Sequence, residues 1–136
     1  MGEVKPTSYT KARRPHWLDD RMNDLRRQLS PADDESLCLL FLERLDQPTI
    51  VVTVVPSAMR QMDTALTAGI AHVIDTVPAR AVLLVVPRRH GTTQAVDRKL
   101  WDDLHAGCRR PQSLMDLIVM GRRCHTSTRW AASVTG

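Results

Sequence analysis

Apolar positions follow helical spacing in three stretches of this chain and form unbroken runs between them. After Pro15, the residues Trp17, Leu18, Met22, Leu25 and Leu29 share one helical face, with Asp19 and Asp20 early and Arg26 and Arg27 late, as the helix dipole favours. This amphipathic helix is predicted to stop near Ser30-Pro31. Leu37 to Leu42 (LCLLFL) and Thr49 to Val55 (TIVVTVV) read as strands joined by a turn around Asp46-Gln47-Pro48. Met59, Met62, Leu66, Ile70, Val73 and Val77 then recur three or four apart, which predicts one long helix capped by Ser57, tolerant of Gly69 and ended before Pro78. Met59 and Met62 take core positions in that reading. Ala81 to Val86 is apolar throughout, as in a central strand covered on both faces. A third helix, capped by Thr92 or Thr93, carries Val96, Leu100, Trp101 and Leu104 and closes at Gly107. Leu114 to Met120 (LMDLIVM) reads as another buried strand, and Thr126 to Trp130 as a last edge strand.

The order helix, strand, strand, helix, strand, helix, strand, strand predicts an α/β domain: one mixed sheet flanked by helices. With 136 residues and 43% hydrophobic content the chain can bury a single core. Residues 1–15 are polar, basic and punctuated by proline, and are expected to form a flexible basic arm. Residues 16–33 hold the amphipathic helix, 34–130 the main domain and 131–136 a short tail. No segment has the length of apolar sequence that crosses a membrane or resembles a signal peptide, so a soluble, cytoplasmic protein without a membrane partner is expected. Cys38, Cys108 and Cys124 form no regular ladder and suggest no disulfide framework.

Charge adds one further theme. Nineteen Lys and Arg against fifteen Asp and Glu give +4, and ten of the arginines form pairs: Arg13-Arg14, Arg26-Arg27, Arg88-Arg89, Arg109-Arg110 and Arg122-Arg123. Such pairs can fork onto phosphates, so sequence-independent association with nucleic acid through the arm and the pairs is one expectation; solvated surface is the other. Aromatic content of 4% is too low for a base-stacking platform.

The end of the third strand concentrates the candidate chemistry. Val86-Pro87-Arg88-Arg89-His90-Gly91 lies where α/β folds gather ligands, at a strand end leading into a helix. Pro87 and Asp97 stand ten residues apart, Asp116-Leu117-Ile118-Val119-Met120-Gly121 follows, and Phe41-Leu42-Glu43-Arg44 precedes. In these features residues 34 to 130 resemble the RadC-like branch of the JAB/MPN (JAMM) metalloprotease family. That resemblance implies a three-layer, cytidine-deaminase-like fold. It also implies a zinc site built from His-X-His-Pro on the strand and Ser-X-X-Asp on the helix.

Set on that pattern, Leu84 and Val86 occupy the two histidine positions, Gln94 the serine position and Asp97 the aspartate position. Leucine and valine offer no lone pair, and Thr49 to Val55 contains no acid to match the family's glutamate. The expectation is a degenerate, non-catalytic member that needs no cofactor and serves as a binding or scaffold module, with a protein partner or a second copy in an MPN-type pairing. A DNA-associated accessory protein is the alternative; the family is commonly named for DNA repair. A residual zinc metallopeptidase would need a relocated site drawn from His90, Asp97, Cys124 and His125. Cys124-His125 also allows a thiol nucleophile. Arg88, Arg89, His90, Gln94, Arg98 and Lys99 form a cationic and polar group beside a helix N-terminus, a candidate for binding phosphate or a partner's carboxylates. Asp97 has a structural role open to it as well, in the first turn of its helix.

Overall fold

A computed structural model describes residues 16–44, 47–89, 91–121 and 125–127. The expected arm (1–15), Leu45-Asp46, His90, Arg122-Arg123, Cys124 and residues 128–136 lie outside the described residues. In chain order the elements are α1 (His16–Gln28), β1 (Leu37–Arg44), β2 (Gln47–Val54), α2 (Pro56–Arg60), α3 (Thr64–Thr76), β3 (Ala81–Pro87), α4 (Ala95–Gly107), β4 (Leu114–Met120) and β5 (His125–Ser127). The strands form one five-stranded sheet in the order β2-β1-β3-β4-β5. Only β3 and β4 run parallel; β1 is antiparallel to both β2 and β3, and β5 is antiparallel to β4. This is a mixed α/β domain with helices on both faces of the sheet.

Alternation along the strands explains the layering. Leu37, Leu39 and Phe41 of β1 join Val82, Leu84 and Val86 of β3 in one core, packed with Ile70 and Ile74 of α3 and Leu100 and Leu104 of α4. The intervening Cys38, Leu40 and Leu42 join Leu83 and Val85 against Leu18, Met22 and Leu25 of α1 on the other face. A bulge at Met115, where Val82 pairs with Leu114 but Leu83 with Asp116, keeps β4 in step with β3. The Arg26 side chain donates from Nε to the Gly121 carbonyl at 2.9 Å and ties α1 to the far end of β4. Burial pushes the thiols of Cys38 and Cys108 above their ordinary pKa, so both are held as neutral, poorly nucleophilic groups.

Several sequence expectations need correction. The long helix over 57–77 is two: α2 begins at Pro56 with Val55 as its N-cap, and α3 begins after Asp63, whose carboxylate accepts from the Leu66 N–H at 2.8 Å. Ser57 is thus not the cap. Asp63 offers the backbone a fresh start, and the apolar spacing runs across the break without revealing it. Met59 and Met62, expected in the core, are only partly buried against it. Helix α4 starts from Gln94 rather than from Thr92 or Thr93, because Asp97 reaches back to the Gln94 N–H at 2.7 Å; Val96, placed on the core face by spacing, is 53% exposed. Gly107 is the last residue of α4 and packs near Ala71, while extended Cys108 ends the helix. Of the final strand expected over Thr126 to Trp130, the described part is His125–Ser127, which takes in His125 as well; residues 128–130 lie outside the described residues.

Candidate functional site

The backbone at the end of β3 is held from both sides. Glu35 donates its N–H to the Pro87 carbonyl at 2.7 Å, and Arg88 donates its N–H to the Met120 carbonyl at 3.0 Å, so the sheet continues one step past Pro87 on each flank. The chain then turns: Gly91, at φ 64, returns its N–H to the Arg88 carbonyl at 2.8 Å. A left-handed φ at this buried position suits glycine. Glu35 is the one described non-glycine residue in that region, at φ 66. Its N–H and its carboxylate are both anchored to the β3 end, and these contacts over-determine the conformation.

Arg88 is the centre of the corner. Its Nε donates to Glu35 Oε2 at 2.9 Å, and its Nη2 to Glu35 Oε1 at 3.0 Å. Its Nη1 donates to Asp97 Oδ2 at 2.5 Å and to the Thr92 carbonyl at 2.8 Å, while Nη2 also reaches Asp97 Oδ1 at 3.0 Å. All five guanidinium N–H groups are therefore engaged. The Arg88 and Asp97 side chains are 6% and 4% exposed, whereas Glu35 keeps 45% of its surface in water. Burial alone would lower the Arg88 pKa, but hydrogen bonds to Asp97 and Glu35 outweigh it and hold the group above its ordinary value. The guanidinium stays charged at every working pH.

These contacts divide the expected cationic group. Arg88 does not act as an anion fork: its donors are spent, and with two carboxylates on one guanidinium the trio carries a net negative charge. Arg89, Gln94, Arg98 and Lys99 are exposed, and Lys99 pairs with Asp103 at 2.7 Å one turn along α4. His90 lies outside the described residues. Of the other arginine pairs, Arg26 and Arg27 are bonded to Asn23 and Asp24 on their own helix, and Arg109 and Arg110 are exposed.

Zinc does not fit this corner. Leu84 and Val86, at the positions the resemblance gives to histidines, are 0% and 2% exposed and belong to the α3/α4 core. Both Asp97 oxygens face Arg88, and Oδ2 also accepts from the Gln94 N–H. Among the described residues no three His, Cys, Asp or Glu side chains converge as a metal site. His125 lies on β5, opposite Met120, and Cys124 is not described.

Beside the corner lies an open groove of about 990 Å³ between α3 and α4. Val86, Ala71 and Leu100 line it with the half-buried Met59 and Met62, and Arg88 and Asp97 border it. Its charged lining mixes signs: Arg60, Lys99 and Arg109 alternate with Asp63, Asp75 and Asp103.

Glu35 is the residue of the corner that sequence reading missed. The resemblance points to Thr49 to Val55 for an acid, but the partner comes from the segment just before β1. Its signal is the antiparallel register: Cys38 faces Val85, and continuing that pairing outward sets Glu35 opposite Arg88. Comparison with known protein families and with characterised proteins finds no match to this chain.

Proposed function

We propose that the chain is a non-catalytic, RadC-like JAB domain acting as a binding module, with the groove between α3 and α4 as its binding surface for a polypeptide segment. The observation that carries this reading is the Arg88 clamp. A permanent guanidinium charge, bound by Asp97 and Glu35 directly above Val86, stands where the resemblance expects a metal ion held by histidines and an aspartate. Among its described residues the corner gives neither an open coordination position nor an unbound carboxylate base, both of which metal-assisted hydrolysis requires.

The groove keeps what recognition needs. An apolar floor rimmed by charges of both signs suits a polypeptide, whose side chains alternate in polarity, better than a polyphosphate backbone, which would meet Asp63, Asp75 and Asp103. The test is selection from a displayed library of random short peptides, followed by titration against the wild type and against Ala68→Trp. Ala68 is exposed on α3 and lines the groove, so the indole would fill it without disturbing the core. Selected peptides are expected to lose at least about tenfold in affinity for the variant, equivalent to about 1.4 kcal/mol. Failure to select peptides, or equal binding to both proteins, would count against the groove reading.

A further inference from the structure

Among the described residues the sheet ends on one side at β2, which there pairs with β1 alone. Edge strands that stay solitary are usually guarded by charge, proline or a bulge. Here the guards sit at the start of the strand: Pro48 lacks an N–H, and the register shifts between Phe41 and Leu42 opposite it. Beyond Pro48 the segment Thr49 to Val54, Thr-Ile-Val-Val-Thr-Val, has no charge, proline or glycine.

Exposure is concentrated at the same place. Of the four large hydrophobic side chains exposed among the described residues, Ile50 (43%), Val51 (49%) and Val55 (54%) lie on or next to β2. Val52 and Val54 turn toward the α3/α4 core, so Val51 and Thr53 face the side of α1. That helix covers β1, β3 and β4, and it leaves both residues exposed.

The segment is also close to a palindrome. Centred on Val51, an antiparallel partner of identical sequence sets Thr49 opposite Thr53, Ile50 opposite Val52, and Val51 opposite itself. Threonine pairs and β-branched pairs are favourable cross-strand neighbours, and no like charges meet. We infer that β2 pairs with β2 of a second copy of this chain across a two-fold axis at Val51, joining the two sheets into one. The pairing is isologous, so it closes as a dimer and does not propagate. Five paired residues on each strand span only about 17 Å. Their burial falls below the roughly 1,200 Å² of stable interfaces, so the dimer should be reversible and concentration-dependent. The inference stands apart from the groove reading and uses none of its residues.

The experiment uses the full chain. Sedimentation velocity over a concentration series should show a monomer–dimer equilibrium, and Val51→Lys, which sets two ammonium groups face to face, should weaken it at least about tenfold. Independently, Val51→Cys should form a disulfide-linked dimer under mild oxidation, whereas Val55→Cys should not, because the two Val55 positions would lie about 25 Å apart. A monomer at all concentrations would overturn the inference, whether the edge is bare or covered by another segment of the chain. A dimer unaffected by Val51→Lys, or equal cross-linking at positions 51 and 55, would overturn it too.

Discussion

Replacing Arg88 by alanine is expected to remove about 3 to 5 kcal/mol of unfolding free energy, because it leaves the buried Asp97 carboxylate without its partner. A small domain has about 5 to 15 kcal/mol in all, so the variant would sit near the edge of folding. Lysine should rescue little: an ammonium cannot hold two carboxylates with five fixed donors. The partners should be unequal. Glu35→Gln changes a half-exposed contact and should cost at most about 1 kcal/mol, whereas Asp97→Ala removes both the buried pair and the tie to the Gln94 N–H. Urea unfolding of the four variants checks the order. If Arg88→Ala unfolds at the same urea concentration as the wild type, the clamp does not hold the corner together.

Leu84→His is expected to be nearly as damaging. Leu84 is fully buried between the sheet and α3/α4, and losing its packing costs about 2 to 5 kcal/mol for the smallest replacements. Histidine restores some volume but buries polar nitrogens with no partner, at about 1 to 3 kcal/mol. A net loss of at least about 3 kcal/mol follows. Adding zinc to the variant should not recover it, since Asp97 remains bound to Arg88. Thermal melting with and without zinc reads both effects. A tolerated histidine with a zinc-dependent rise in melting temperature would mean that the corner has the geometry of a metal site.

The four longer strands and α1 were legible in the sequence because runs such as LCLLFL and AVLLVV, and the face of Leu18, Met22 and Leu25, depend on burial patterns a few residues long. The split between α2 and α3 was not. Met59, Met62 and Leu66 keep helical spacing across it, and only the Asp63 cap marks the restart. At the corner, the apolar character of Leu84 and Val86 could be read directly. The fate of Arg88 could not, because the Arg88–Glu35 contact joins residues 53 apart in sequence and exists only once β1 and β3 pair antiparallel. Sequence saw a cluster of cations beside a helix N-terminus, where the fold places a buried cation between two acids.

Whether Arg88 has taken the place of a metal is tested most directly by the zinc content of the full chain, purified without chelator and without a histidine tag, before and after incubation with zinc and gel filtration. The expected result is far less than one zinc per chain under both conditions, with no change on Asp97→Ala. One zinc per chain that survives gel filtration and is lost on Asp97→Ala would contradict it, since Asp97 would then be a metal ligand and not the anchor of Arg88.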